Sequence, residues 1–155
     1  MILYLDSSSL VKRYVREVGA DEVMQAVDLA TQVATVTITR VEIAAALAKA
    51  VRQRALTRQA AWKTLQLFRE DWTDLVRLTV TDLLVSHADA LAWEHGLRGY
   101  DAVQLAAASL WQEMMDEPVT FSTFDQRLWT TAQHLGLLAH PQNIPELLTT
   151  GGGRA

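Results

Sequence analysis

The chain has no cysteine. That removes disulfides, thiolate nucleophiles and cysteine-ligated zinc or iron–sulfur clusters, and it fits a reducing, cytoplasmic setting. The apolar run at 43–48 falls far short of a bilayer-spanning helix, so no membrane association is expected. The N-terminus opens on an apolar run without a basic start or a cleavage-like site, so no signal peptide is expected either. There is no glycine-rich phosphate loop of the P-loop or dinucleotide-binding kind. His87, His95, His134 and His140 show no metal-ligand spacing. Ser86, His87 and Asp89 are triad residue types, but neighbours on one helix do not form a triad. Basic residues number 14 against 18 acidic, for a net charge of −4. That balance argues against nucleic-acid binding over the whole surface, though not against a local basic groove.

What is present is a chain of 155 residues, half of them hydrophobic and 21% charged. This is enough for one domain with its own core, expected over residues 1–148, with a disordered tail at 149–155 that contains Gly151-Gly152-Gly153. Residues 2–5 (ILYL) are too short an apolar run for a helix and read as a buried strand. Helical spacing follows over 10–18, ended by Gly19, and again over 20–30. The β-branched run 33–38 reads as a second strand. Thr39-Arg40-Val41-Glu42 has the form of a capping box, with Thr at the N-cap and Glu three residues on. An Ala-rich helix to about 54 follows, and Thr57 caps another to about 71 with Trp62, Leu65 and Phe68 inward. The short join between them predicts an antiparallel hairpin. Strands are expected at 75–80, 118–122 and, marginally, 137–139, and helices at 82–95, from 100 and at 126–134. Strands alternating with helices predict an α/β fold with a mostly parallel sheet, helices on both faces and right-handed crossovers.

Four acids share one situation. Asp6 follows the first strand, Glu42 lies in the first turn of the helix after the second, and Asp125 opens the helix after the fourth. In a parallel sheet these three meet at the C-terminal edge, where open α/β folds bind ligands. Asp101 opens a helix with no strand directly before it. A structural reading exists for each one, because acids at helix N-termini satisfy free N–H groups and complement the macrodipole. Asp125, for instance, can pair with Ser122. As a set they are harder to explain as caps, since converging carboxylates raise one another's pKa and call for a compensating cation. Hard oxygen donors suit Mg²⁺ or Mn²⁺, and such a site serves phosphate chemistry. Ser7, Ser8 and Thr123 are placed to hydrogen-bond these carboxylates or a phosphate, or to act as caps.

The segments LDSSSLVKRY, TRVEIAAAL, LRGYDAVQLAAA and TFDQRL, in this order, resemble the successive motifs of PIN-domain ribonucleases, in particular the VapC-type toxins of prokaryotic toxin–antitoxin pairs. The likeness runs from residue 3 to about 139. It implies a PIN-like three-layer α/β/α fold with a roughly five-stranded parallel sheet and a Mg²⁺- or Mn²⁺-dependent endoribonuclease. The family's acidic quartet falls on Asp6, Glu42, Asp101 and Asp125. By resemblance Asp6 and Asp101 are the principal metal ligands. Glu42 and Asp125 complete the shell, directly or through water, and help orient the attacking water. Thr123 matches the hydroxyl residue two positions before the last acid. The resemblance also implies a homodimer and a cognate antitoxin that lays a segment across the groove beside the acids. The hairpin from 43 to 71 is a reasonable clamp for such a segment, because its surplus of apolar residues fits partner binding as well as it fits core.

For RNA contact the candidates are Lys12, Arg13, Arg16, Arg40, Lys49, Arg52 and Arg98. Arg40 and Arg98 stand out because they flank Glu42 and Asp101 in sequence. The five tryptophans are expected in core or interfaces rather than as base platforms. Two enzyme rivals fit less well. A haloacid dehalogenase-type phosphatase needs an Asp where Ser8 stands, and a phospho-accepting receiver needs an acidic pair after its first strand and a late Lys, yet no Lys follows Lys63. The remaining alternative is a catalytically silent PIN module that binds RNA or a partner.

Overall fold

The computed structural model describes residues 1–150. Its strands are β1 (Ile2–Leu5), β2 (Gln32–Val36), β3 (Val76–Leu78), β4 (Val119–Ser122) and β5 (Leu138–His140). Its α-helices are α1 (Ser7–Leu10), α2 (Ala20–Leu29), α3 (Thr39–Arg52), α4 (Arg58–Asp71), α5 (Asp82–His95), α6 (Gly99–Glu113), α7 (Gln126–His134) and α8 (Ile144–Thr150). The strands form one sheet in the order β3-β2-β1-β4-β5. Every neighbouring pair is parallel. The expected five-stranded parallel α/β sheet is what the chain forms.

Side-chain alternation along β1 divides the core into two layers. Ile2 and Tyr4 face a cluster built with Leu84, Leu91, Leu105 and Trp111 of α5 and α6 and Leu128 of α7. Leu3 and Leu5 face the opposite cluster, with Leu10, Val23, Ile43, Phe68 and Trp72 from α1 to α4 and the turn after α4. All four β1 residues are buried, so β1 is the spine of a three-layer α/β/α stack. Burying each such large apolar side chain contributes about 1.5–3 kcal/mol.

Several helix ends follow the local chemistry. Thr57 caps α4 and Thr81 caps α5 through side-chain oxygens, and Gly96 closes α5 in the left-handed region. Other expectations are not met. The pattern over 10–18 does not make one helix: α1 stops at Leu10 and a 3-10 turn covers Val11–Arg13. The chain must reverse within a few residues to start α2, and a Lys12–Glu17 ion pair of 2.7 Å spans that reversal. Gly19 therefore starts α2 as its N-cap instead of ending a helix. Trp62 does not point inward. It is exposed, and Ala61 and Phe68 carry the buried face of α4. Trp72 and Trp111 are core, while Trp93 is 92% exposed. α8 runs to Thr150, and residues 151–155, most of the stretch expected as tail, lie outside the described residues.

Candidate active site

Because all the strands run the same way, the residues after β1, β2 and β4 emerge at one edge of the sheet. Asp6 leaves β1 there, with its backbone N–H donating to the Ser122 carbonyl at the end of β4 (3.1 Å). Glu42 arrives in the first turn of α3 and Asp125 immediately before α7. Asp101, with no strand before it, is delivered by the first turn of α6.

Asp6 is only 4% exposed and is held from several sides. The Ser9 N–H donates to its Oδ1 (2.8 Å), which makes Asp6 the N-cap of α1. The Ser8 hydroxyl donates to both carboxylate oxygens, at 2.7 and 3.0 Å. The Thr123 hydroxyl donates to Oδ2 at 2.7 Å. Ser8 and Thr123 are in turn positioned by the Phe124 and Asp125 N–H groups. One carboxylate thus ties the turn after β1 to the turn after β4. Ser8 and Thr123, read from sequence as carboxylate partners or as caps, are partners of Asp6. Burial outweighs these donors and pushes the Asp6 carboxyl up to about 6; the nearby Asp101 charge adds to the rise.

Glu42 does not close a capping box. Ile38 is the N-cap of α3 and makes no side-chain cap, and Thr39 is inside the helix and buried. The reason is a buried polar relay that recruits both residues. The Tyr4 hydroxyl donates to Gln104 Oε1 (2.8 Å). Gln104 Nε2 donates to Thr39 Oγ1 (2.8 Å) and to Glu42 Oε2 (2.6 Å). Thr35 hydrogen-bonds Thr39 and donates to the Leu5 carbonyl. Glu42 is also raised, by burial first and against the pull of Gln104, with Asp6 and Asp101 adding to the rise and Ser7 opposing it. Asp101 is raised by burial and then by Asp125, against the Arg98 cation. Asp125 caps α7 through the Leu128 N–H (2.9 Å) rather than pairing with Ser122. The four carboxylates therefore form one electrostatic neighbourhood: Asp6 and Glu42 both feel Asp101, and Asp101 feels Asp125.

The supporting basic residues separate. Arg98 is exposed and acts on Asp101. Arg40 is exposed too, but its guanidinium lies over the Trp72 ring at 5.8 Å. The residues that sequence reading missed are Tyr4, Thr35, Thr39 and Gln104. Gln104 left one signal, as a lone amide in an otherwise small and apolar stretch, three residues after Asp101 and so on the same helical face. Its removal has a clear expected outcome. Gln104→Leu strands the Tyr4 hydroxyl and frees Glu42, costing about 2 kcal/mol in a denaturant titration. Unchanged stability would show that the relay is idle.

The donors fit a hard divalent cation in chemistry. Among the described residues no three His, Cys, Asp or Glu side chains stand close enough to ligate one ion together. Mg²⁺ accommodates this, because it keeps several waters and takes one or two carboxylates directly. Asp6, Glu42, Asp101 and Asp125 are the carboxylates that would hold such an ion, directly or through water.

Comparison with known proteins places this edge in a family. Ribonuclease VapC45 of Mycobacterium tuberculosis (strain CDC 1551 / Oshkosh) is 29% identical over 143 residues, which covers 92% of this chain and 97% of that protein. Ribonuclease VapC49 of Mycobacterium tuberculosis (strain ATCC 25618 / H37Rv) matches with the same identity and coverage. The PIN domain family matches residues 3–132, a span that holds all four acid-bearing segments. The chain belongs to the PIN-domain family.

Proposed function

We propose that this chain is a Mg²⁺- or Mn²⁺-dependent endoribonuclease that hydrolyses RNA phosphodiester bonds, and that it is the toxin of a toxin–antitoxin pair, built as one nuclease domain over residues 1–148. The observation that carries the chemistry is the arrival of Asp6, Glu42, Asp101 and Asp125 at one sheet edge, each of the first three held above its ordinary pKa. The two curated relatives, both named as ribonucleases, support the substrate class and the toxin role.

In the hydrolysis a water oxygen bonds to phosphorus and one phosphorus–ribose oxygen bond breaks. A bound divalent ion supplies charge neutralisation on the phosphoryl oxygens and a more acidic water. Asp6, clamped by Ser8, Ser9 and Thr123, is a rigid anionic anchor, and Asp101 brings the second charge. Glu42, held by Gln104 and stabilised by Ser7, helps orient the attacking water. Asp125 stands beside Asp101 as the outer acid. Ser7, close enough to stabilise the Glu42 anion, and Arg98, which offsets the field at Asp101, support the site.

Two partners follow from the same reading. A groove of about 820 Å³ between α3 and α4 is lined by Leu47, Val51, Trp62 and Leu65 with Arg52 and Arg58 at hand. It suits an amphipathic antitoxin segment that carries acidic residues. A homodimer and a cytoplasmic setting complete the proposal. No helix among the described residues is long and apolar enough to cross a membrane.

The deciding experiment incubates the purified chain with a mixed RNA pool in Mg²⁺, in Mn²⁺ and in EDTA. Internal cleavage in both metals that stops in EDTA is the expected result. RNA left intact in both metals would end the ribonuclease proposal.

A further inference from the structure

A second groove adjoins the acids and is left unused by the chemistry above. It has a volume of about 690 Å³ and includes Asp125 in its lining, with His95, Gln126, Arg127 and His134. Asp125 is its only carboxylate; the Thr130 and Thr131 hydroxyls donate to the Gln126 and Arg127 carbonyls within α7, so Arg127, Gln126, His95 and His134 supply the donors for a ligand. It joins the C-terminal end of α5 to α7.

Arg127 in this groove is exposed yet fixed. Its Nη2 donates to the His95 carbonyl at 2.8 Å. Gly96, with φ +58°, makes room for it, because a Cβ at that position would lie 2.7 Å from Nη2. The guanidinium has five N–H donors and makes no ion pair among the described residues, so donors remain for a ligand. Arg side chains carry much rotamer entropy, and one held in place beforehand loses less of it on binding.

A nuclease that cuts within a strand must hold nucleotides beyond the bond it breaks. The neighbouring phosphates are anions beside a carboxylate cluster, so they need cationic or N–H donors close to it. We infer that the groove between α5 and α7 is the track for the RNA strand flanking the scissile bond, with Arg127 receiving the adjacent phosphate and His95 and His134 lining the path beyond. The inference rests on the ribonuclease reading. A purely structural role for Arg127 is also available, since a cation at the last carbonyls of α5 complements the helix dipole. It accounts for the bond to His95 but predicts no dependence on RNA.

The test measures steady-state cleavage by the full chain in Mn²⁺, using one RNA that the wild type cuts and successively shorter versions trimmed around the same bond. Arg127→Gln retains a donor for the His95 carbonyl and loses the charge. The expected result is a rise in KM of about tenfold on the longest RNA, shrinking as the RNA is trimmed, with a shallower dependence of KM on salt by about one phosphate contact. His134→Ala, whose imidazole makes no hydrogen bond among the described residues, gives a smaller rise with the same length dependence. A loss that is equal at every length, or a lowered melting temperature with unchanged KM, overturns the track and leaves Arg127 a helix cap. A wild type that cuts none of the RNAs overturns the ribonuclease reading itself, which is a separate result.

Discussion

Asp101→Asn is expected to lower RNA cleavage by at least about a thousandfold, about 4 kcal/mol of barrier, while making the metal-free protein slightly more stable. Both effects come from one charge. The Asp101 carboxyl makes no hydrogen bond among the described residues, so nothing in the fold requires it to be ionised. It is partly buried, and its pKa is raised by that burial and then by Asp125. It also pushes on Asp6 and Glu42. An amide of nearly the same shape removes the repulsion. At a half-exposed site solvent screens much of that gain, which stays under about 1 kcal/mol. The same amide is a poor ligand for a hard cation, which is where the activity goes. A residue kept at a cost to stability while the reaction depends on it is the usual signature of a functional site. The measurement pairs a cleavage time course with a thermal melt in EDTA. Wild-type cleavage by the variant would remove Asp101 from the site. A clear loss of stability would show that the carboxylate belongs to the scaffold.

The second large effect concerns pH and metal together. The Asp6 carboxyl moves from 3.8 to about 6 on folding, through burial above all. The sign follows from proton counting. Between about pH 4 and pH 6 the folded chain keeps a proton on Asp6 that the unfolded chain has released. Stability therefore falls as pH rises through this window. For a fully buried group the loss amounts to about 3 kcal/mol. Glu42 and Asp101 are raised as well and slope the same way. His140 opposes them: burial lowers its pKa below 6.5, so its contribution to stability is lost as pH falls through 6.5. The difference between wild type and Asp6→Asn across pH, measured in EDTA, isolates Asp6. The wild type is expected to lose about 3 kcal/mol relative to the variant on going from acid to neutral pH. Mn²⁺ should restore most of that above pH 6 and little at acid pH, where protons compete for the ligand. A difference that stays flat with pH would mean that Asp6 is not held above its ordinary range. Restoration equal in the wild type and Asp6→Asn would place the ion elsewhere.

The helix ends show how local chemistry was readable and where it stopped. Thr57, Thr81 and Gly96 act within their own turns, so their roles follow from a few neighbouring residues. Thr39 and Glu42 have the same local signature as a capping box, yet Gln104, far along the chain, claims both of them. The amphipathic pattern over 10–18 likewise matched a helix until the chain had to turn back towards α2. A hydrogen bond to a distant partner in a buried site outweighs a solvent-exposed cap, because a buried polar group left unpaired costs more than the cap returns. Arg127 carries no local signal for a similar reason. Its importance depends on a carbonyl at the end of α5 and on a glycine beside it, and neither is near it in sequence.

Asp6, Glu42 and Asp125 could be assigned to one edge from order alone, since a parallel sheet sends every strand's C-terminal end the same way. The alternation of apolar runs and helical patterns was enough for that, as it reflects periodicity within each segment. Where Asp101 lies, how Asp6 is clamped between Ser8 and Thr123, and which groove leads away from Asp125 were settled only by packing. Each of those depends on pairs of residues distant in the chain, and their meeting is decided by how the layers of helix and sheet close over β1.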